Sequence, residues 1–200
     1  MASILILFAH PVLEKSRVNQ ALLRAADGLD VVTVNDLYEA YPDFEIDVDR
    51  EQDLLLRHEY ILLQHPFYWY SAPPIIKQWE DLVLEHGWAY GRSGKALTGK
   101  KLLNVVSTGG RQEAYHPTGH NRYTMRQFLL PFEQTAVLCN MTYLPPFVVH
   151  GTHRISPAET DRYVAQYRTL LTRLAEGSFP IDMVQHLNYL NEALPEPQFL

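Results

Sequence analysis

The feature that most constrains this chain is a short stretch near its start, where an apolar run leads directly into a helical pattern. The run covers residues 4–9, His10-Pro11 follows it, and Ser16-Arg17-Val18-Asn19 begins the helical pattern. A buried strand that passes through a polar turn into a helix creates a phosphate site, because unpaired backbone N–H groups and the positive end of the helix dipole converge there. The turn lacks the glycine spacing G-x-G-x-x-G. This absence argues against a dinucleotide Rossmann site and favours a pocket of hydroxyl, amide and imidazole groups.

Composition and charge exclude several classes of protein. The 200 residues are 46% hydrophobic and 20% charged, which is enough for one globular domain with a full core. The formal net charge of -6 leaves no basic surface for nucleic acid, so we exclude nucleic acid as the main partner. No apolar run approaches the ~20 residues that span a bilayer, and a cytoplasmic location is expected. Cys139 lies in an apolar series and is expected to be a core thiol.

Periodicity and turn residues divide the chain into alternating strands and helices. Five apolar segments are typical of buried strands: residues 3–9, 31–34, 60–64, 102–107 and 143–149. Five further segments carry helix-start signals or a helical apolar face: residues 16–26, 50–57, 74–85, 124–139 and 157–175. Residues 35–49 form an acidic, turn-rich segment between them.

This alternation predicts an α/β fold, with a doubly wound five-stranded parallel sheet and helices on both faces. The flavodoxin-like strand order 2-1-3-4-5 is expected, and ligands of such sheets bind beyond the carboxyl ends of the strands. The loops at 10–19, 65–71 and 108–120 should therefore converge. We assign residues 1–177 to this domain. Residues 178–200, which include Pro180, Pro195 and Pro197, form a C-terminal extension suited to packing on a partner subunit.

The first of these loops supports two interpretations. Ser16 and Asn19 fit a helix cap, and a capped helix start is also an anion site. His10 favours ligand binding, because an imidazole directly after a buried strand lies at the carboxyl edge of the sheet, although a structural turn role stays open. The candidate cofactor residues of this loop are His10, Ser16, Arg17, Val18 and Asn19.

The other two loops supply aromatic rings and glycines. One strand exit carries four consecutive aromatic residues: Phe67, Tyr68, Trp69 and Tyr70. Flat rings beside exposed backbone N–H groups suit a planar heterocycle, while loop packing or a dimer contact is the alternative. The next strand ends in a second candidate group: Ser107, Thr108, Gly109 and Gly110. Paired glycines let a ligand approach the backbone closely, although Gly-Gly also marks an ordinary turn.

Tyr115 and His120 follow the glycine pair in the same loop and are the candidate catalytic residues. In a reaction that places negative charge on a bound ring, a phenol can donate a hydrogen bond and an imidazole can become imidazolium. Both side chains are therefore expected to face the ligand.

Two other patterns carry no function in this interpretation. Gly94 with Gly99-Lys100 imitates a P-loop, but the next residue is Lys101 and the segment precedes a strand. The second half of the chain contains four histidines that could suggest a metal site: His116, His120, His150 and His153. Their spacing does not complete a set of metal ligands, so no metal is predicted.

Together these segments resemble the NAD(P)H:quinone oxidoreductase family of flavodoxin-like flavoproteins. Within it, they are most similar to the bacterial quinone oxidoreductases that serve as ancillary subunits of glutathione-regulated potassium-efflux systems. The resemblance covers residues 4–175. It rests on five motifs: Ala9-His10-Pro11 with Ser16 to Asn19; Tyr41-Pro42-Asp43-Phe44 with Ile46-Asp47; Gln64-His65-Pro66 through Ser71 with Pro74, Lys77 and Trp79; His86-Gly87-Trp88-Ala89-Tyr90-Gly91; and Thr108-Gly109-Gly110.

The resemblance implies a bound flavin, FMN in preference to FAD, with its phosphate side at the first loop and its ring against the other two. It also implies a homodimer and ping-pong reduction of a quinone, in which NAD(P)H delivers a hydride and leaves before the quinone reacts. Tyr115 stands at the family distance from the glycine pair, whereas His120 is one residue closer to Tyr115 than in the family pattern.

Two alternative functions stay open. One is a regulatory ancillary subunit docked on a potassium-efflux antiporter at the inner membrane, with turnover incidental. The other is a flavodoxin-type electron carrier. It ranks last, because such carriers are strongly acidic and lack a long loop after the fourth strand.

Overall fold

The computed structural model describes residues 1–195 and places a parallel sheet at the centre of the fold. Within those residues the strands are β1 (Ile4–Phe8), β2 (Val32–Asp36), β3 (Tyr60–Pro66), β4 (Lys101–Ser107), β5 (Thr142–Tyr143) and β6 (Phe147–Val149). The order is β2-β1-β3-β4, and β5 and β6 both pair with β4. Every pair is parallel. The predicted α/β fold and its flavodoxin-like strand order are confirmed.

Helices cover both faces of this sheet, as predicted. Over the described residues they are α1 (Arg17–Leu23), α2 (Leu37–Ala40), α3 (Val48–Arg57), α4 (Pro74–Val83), α5 (Met125–Phe128), α6 (Leu130–Leu138), α7 (Pro157–Ala175) and α8 (Ile181–Val184). Leu5 and Leu7 of β1 pack with apolar residues of α3, α4 and α6. Ile4 and Ile6 pack on the other face with α1 and α7. Because the strands are buried on both faces, they are continuous apolar runs rather than alternating ones.

The predicted fifth strand, residues 143–149, is in fact two strands. β5 pairs through Leu102↔Tyr143, and β6 resumes at Val105↔Phe147. Three residues, 144–146, therefore stand opposite two residues of β4. Pro145 and Pro146 have no N–H to donate to the ladder, so the proline pair divides the strand while both parts stay beside β4.

The predicted helix over residues 124–139 is also divided. Thr124 caps α5, and the break falls at Leu129, where φ is -90° and ψ is 4°. Pro131 lies in the first turn of α6. Proline is tolerated there because a backbone N–H at that position would have no partner within the helix. The proline therefore starts a new helix instead of continuing the first. The bounds of the other predicted elements agree with the structure to within three residues.

A buried carboxylate anchors the acidic segment that follows β2. Glu51 of α3 is fully buried and accepts hydrogen bonds from Asn35, from the Tyr41 hydroxyl at 2.6 Å and from Trp79 Nε1 at 2.9 Å. A buried charge is tolerable only when it is paired or hydrogen-bonded in this way. Glu51 thus joins β2, the acidic segment and α4. Burial and the Glu51 carboxylate raise the pKa of Tyr41 to about 12.

The C-terminal extension packs on its own chain as far as Leu194, and its expected contact with a partner subunit stays a prediction. Phe179, Val184 and Leu190 are buried among the apolar residues of α1 and α7. Pro197 and the rest of residues 196–200 lie outside the described part. No helix in the described part combines the length and apolarity needed to cross a membrane.

Candidate functional site

The loops that follow β1, β3 and β4 meet at the carboxyl edge of the sheet and enclose a cavity of about 730 Å³. Nine of the predicted cofactor residues line it: His10, Ser16, Arg17, Val18, Asn19, Phe67, Tyr68, Ser107 and Gly109. Five further residues complete the lining: Val12, Lys15, Pro66, Thr152 and His153. The sheet topology brings these residues together from four separate parts of the chain.

His10 presents a hydrogen-bond donor to this cavity. Its Nδ1 accepts the backbone N–H of Val12 at 3.1 Å, so the proton of the neutral ring resides on Nε2. Burial lowers the pKa of His10, and the nearby charge of Glu14 opposes that shift. Because Nε2 carries a proton in both the neutral and the charged ring, His10 remains a donor in either form.

Asn19 links the two hydroxyl groups of the cavity. Its Nδ2 donates to Ser16 Oγ and to Ser107 Oγ, both at 2.9 Å. Its backbone N–H also donates to Ser16 Oγ, so the helix cap predicted for Ser16 is confirmed. Since an amide nitrogen only donates, both hydroxyls act as acceptors here and keep their own protons for a ligand. Asn19 Oδ1 is buried and has no hydrogen-bond partner among the described residues.

The charge of the cavity wall is positive. Lys15 and Arg17 line it, and none of the described lining residues is Asp or Glu. The Arg17 guanidinium donates to the carbonyl of Ile155 at 2.6 Å, which ties the first loop to the loop after β6. An anionic group would therefore meet two cations and several donors, with no carboxylate among the described lining residues.

The aromatic loop is divided between the cavity and the surface. Phe67 and Tyr68 line the cavity, and the backbone N–H of Phe67 donates to the carbonyl of Ser107 at 2.8 Å. The chain then reverses at Trp69 and Tyr70, which both have positive φ. Trp69 is 94% exposed, and Tyr70 stacks on Phe128 with a centroid distance of 5.2 Å. The tight reversal thus carries these two rings away from the cavity that they were predicted to line.

The glycine pair after β4 lies against two neighbouring rings. A Cβ at Gly109 would lie 2.4 Å from His153 Nε2, and a Cβ at Gly110 would lie 2.8 Å from the Tyr115 hydroxyl. Gly109 lines the main cavity, whereas Thr108 is buried and hydrogen-bonds the Tyr115 hydroxyl at 2.6 Å. Thr108 and Gly110 thus lie behind the cavity wall, where they support Tyr115.

Tyr115, which was expected to face the ligand, does not line this cavity but is buried in an aromatic cluster behind Phe67, which does. Its ring contacts Phe67 and Phe128 edge-on, with centroid distances of 5.8 and 6.3 Å, and lies 5.5 Å from the ring of His150. Burial raises the pKa of Tyr115, and the hydrogen bond from Thr108 opposes the rise. The phenol therefore keeps its proton at neutral pH.

The structure does not bring His120 to the site. Its side chain is exposed and does not line the cavity of about 730 Å³. The loop folds back on itself through backbone hydrogen bonds from Gly119 to His116 and from Asn121 to Ala114, at 2.8 and 3.0 Å. This local closure separates His120 from Tyr115, although both follow the glycine pair.

Two histidines that sequence reasoning set aside contact the site instead. His153 lines the main cavity, and burial lowers the pKa of His150 to about 4. Both follow β6, the last strand of the sheet, so the rule that ligands bind beyond strand carboxyl ends could have found them. Within residues 1–195, no group of three or more His, Cys, Asp or Glu side chains is placed to hold a metal ion.

A second cavity of about 640 Å³ adjoins the first and shares Gly109 and His153 with it. Three arginines line it, Arg111, Arg154 and Arg162, together with Glu113 and Glu159. The two cavities form one extended recess along the carboxyl edge of β4 and β6.

Comparison with known proteins assigns the fold to a family. A family model described as flavodoxin-like fold matches residues 2–171, which is most of the chain. The chain belongs to this family. Two relatives are the glutathione-regulated potassium-efflux system ancillary protein KefG of Pectobacterium carotovorum and general stress protein 14 of Bacillus subtilis. They are 49% and 47% identical to it, over 77% and 75% of this chain and 84% and 86% of their own lengths.

Solved structures give the same assignment. General stress protein 14 of Treponema denticola, in complex with FMN, is 40% identical with a TM-score of 0.82, and the match covers 86% of this chain and 99% of that one. An NADPH-quinone reductase of P. pentosaceus is 34% identical with a TM-score of 0.77, over 86% and 97% of the two chains. These relatives confirm the predicted resemblance to quinone oxidoreductases and to ancillary proteins of potassium-efflux systems.

Proposed function

We propose that this member of the flavodoxin-like family is an FMN-binding NAD(P)H:quinone oxidoreductase. The observation that carries the proposal is the cavity of about 730 Å³ at the carboxyl edge of the sheet, with its donors and cations. The relatives support it, because one at 40% identity was solved with FMN and another at 34% identity is an NADPH-quinone reductase.

The residues of the cavity fit such a group. Within residues 1–195, the Nε2–H of His10 and the hydroxyls of Ser16 and Ser107 are donors without a partner, and a phosphate or a ribityl chain offers acceptors for them. The buried Asn19 Oδ1, which lacks a partner in the described structure, fits a hydroxyl donor of the ribityl chain. Lys15 supplies positive charge for the phosphate.

When bound, FMN supplies the two-electron chemistry that links NAD(P)H to a quinone. The chain's own residues bind and shield it. His10, Ser16 and Lys15 would hold the phosphate end, and Phe67 and Tyr68 would lie against the ring end. Tyr115 keeps its proton because burial raises its pKa, and its hydroxyl lies beside Gly110, where it could donate to negative charge on the ring.

The visible spectrum of the purified protein tests this proposal. We expect about one noncovalent flavin per chain, and supernatant from heated protein should absorb near ~450 nm. The adjoining cavity of about 640 Å³ has room for the adenosine part of FAD, so mass spectrometry of the released flavin must identify FMN. A colourless protein that takes up no added FMN would overturn the proposal. Recovery of FAD alone would overturn its FMN part.

The proposal includes a homodimer. Apolar residues lie on every side of α6, and Leu130, Val137 and Leu138 are each more than half exposed in the single chain. Trp69 is a further exposed apolar residue, and exposed apolar residues of this kind suit contact with a second copy of the chain. Light scattering of the purified protein should give twice the chain mass of 23.1 kDa. A monomer at micromolar concentration would contradict this part.

A second candidate function is that of an ancillary subunit of a potassium-efflux system. The observation that favours it is the 49% identity to KefG over 84% of that protein. Co-purification with a potassium-efflux antiporter, compared between wild type and Tyr115→Phe, separates the two functions. A complex that persists in the inactive variant would support the ancillary role. If no complex forms, only the enzymatic function is supported.

A further inference from the structure

Residues 178–195, the C-terminal strap, lie beyond the family match at residues 2–171 and cover the outer edge of β6. The backbone N–H of Leu190 donates to the carbonyl of Pro146 at 2.9 Å. The side chain of Asn191 forms hydrogen bonds with both backbone groups of Val148. It accepts one from the N–H at 2.8 Å and donates one to the carbonyl at 3.2 Å. The amide of Asn191 therefore acts as a substitute for a neighbouring strand.

The strap crosses from one face of the sheet to the other at this point. Tyr189 is buried in the same apolar cluster as Tyr115 and Phe132, whereas Leu190 is buried in the cluster of α1 and α7. Consecutive side chains on opposite faces fix the strap across the edge, because sliding it would expose both.

A second connection ties the strap to the chain that follows the Tyr115 loop. Arg126 of α5 donates from Nη1 to the carbonyls of Gln185 and Leu187, at 2.8 and 3.0 Å. α5 begins directly after the loop, so its position sets where the loop ends. The strap thus holds the far end of the loop through one guanidinium group.

A row of three rings connects the strap to the site. The ring of Tyr189 meets that of His150 edge-on at 5.3 Å, and His150 lies 5.5 Å from the ring of Tyr115. Both ring nitrogens of His150 lack a partner at hydrogen-bond distance and angle within the described residues. The rings of Tyr115 and Tyr189 on either side, together with the nearby backbone of Gly110, therefore fix the orientation of this imidazole.

We propose that the C-terminal strap positions the loop that carries Tyr115, and that Tyr189 is the positioning residue that acts on Tyr115 through His150. The inference rests on the proposed function only where it concerns catalysis. The strap lies outside the residues that the family model matches, so this role is proposed for this chain alone.

Hydrogen exchange of the full-length protein, with or without flavin, tests the structural half. Tyr189→Ala should raise the exchange of amides in residues 111–122 by about tenfold, while Tyr189→Phe, which keeps the ring, should leave it unchanged. Arg126→Met removes the hydrogen bonds to the carbonyls of Gln185 and Leu187, and it should also raise the exchange of amides in residues 111–122. Met183→Ala is the matched control, because Met183 lies in the strap and is 73% exposed.

Stopped-flow reduction by NADPH tests the catalytic half in the same variants. Tyr189→Ala should slow the reduction of bound flavin by about tenfold at unchanged flavin content, and Tyr189→Phe should restore the rate. Unchanged exchange in residues 111–122 would overturn the strap proposal whatever the flavin result. Raised exchange with an unchanged rate would overturn the role of Tyr189 in catalysis. If the wild-type protein binds no flavin, the proposed function fails, and the exchange data alone decide the strap.

Discussion

Tyr68 and Ser71 exchange both of their backbone hydrogen bonds, at 3.1 and 3.0 Å, across a turn of two residues. Those two residues, Trp69 and Tyr70, have φ angles of 49° and 65°. Positive φ at both central positions is typical of type I′ turns, which normally contain Asn and Gly. Such a conformation costs a large side chain about 1–3 kcal/mol, and the 94% exposed indole of Trp69 recovers none of this by burial. The strain therefore indicates a role for Trp69 outside the isolated chain.

Trp69→Gly should raise the free energy of unfolding by about 1 kcal/mol, because glycine adopts positive φ without the steric penalty. Trp69→Ala is the control, since it also removes the indole but keeps a Cβ at the strained position. Urea unfolding of the apo forms should rank the glycine variant above the alanine variant. Both variants should weaken dimerisation to the same extent, as measured by light scattering. A glycine variant no more stable than the alanine variant would show that the turn is unstrained.

The fold could be predicted from the sequence because its main signals are local. Buried strands on both faces are continuous apolar runs, and residues 4–9 and 102–107 show this without any tertiary information. The errors occur at proline. Pro131 begins a new helix, and Pro145-Pro146 divides the last strand, although each segment keeps the apolar pattern of a single element.

The site was only partly predictable for a different reason. The rule that ligands bind beyond strand ends placed His10, Ser16 and Phe67 at the cavity, because it needs only strand ends and their order. It could not place Trp69 or His120, whose positions depend on a backbone reversal and on a loop that closes on itself. His153 was missed because the loop after β6 was not counted among the converging loops.

The stability of the protein should fall as pH falls from about 6.5 to about 4, and His65 should account for part of this dependence. Burial lowers the pKa of His65 to about 4, whereas the unfolded value is near 6.5. Between these values the unfolded chain binds a proton that the folded chain does not, so acid favours unfolding. One such group contributes at most about 1.4 kcal/mol per pH unit.

His65→Phe tests this prediction. The informative quantity is the slope of the free energy of unfolding against pH, not its value at a single pH. The substitution leaves Asn104 and the carbonyl of Pro66 without their ring partner, so the variant should be less stable at every pH. Its unfolding free energy, measured in urea from pH 4 to 7, should nevertheless vary less steeply than that of wild type. An equal slope in the two proteins would show that the buried ring is not what resists protonation.

His10→Ala should weaken flavin binding more than it slows the reaction of flavin already bound. The proposed contact is a charge-assisted hydrogen bond from Nε2 to the phosphate, and its loss should cost about 1.5–3 kcal/mol, or roughly tenfold to a hundredfold in affinity. Fluorescence titration of the apo protein with FMN measures this directly. Wild-type affinity in the variant would mean that His10 only holds the turn through its bond to Val12.

Tyr115→Phe should lower the rate of flavin reduction by about tenfold to a hundredfold while flavin content stays at the wild-type level. The phenol is fixed by its 2.6 Å hydrogen bond with Thr108, and a preorganised donor near developing charge acts mainly in the transition state. Because burial raises its pKa above the usual value of about 10, the wild-type rate should show no titration of this group between about pH 6 and 9. Stopped-flow reduction by NADPH, followed at the flavin band, isolates this half of the reaction.

His120→Gln is the matched control for Tyr115→Phe, because both residues follow the glycine pair but only Tyr115 is buried beside the cavity. We expect His120→Gln to reduce its flavin at the wild-type rate. Thr108→Val should show an intermediate loss, since it keeps the phenol and removes the partner that orients it. If Tyr115→Phe also reacts at the wild-type rate, Tyr115 serves only to pack against Phe67 and Phe128. The ancillary role suggested by the relationship to KefG would then be favoured over the enzymatic one.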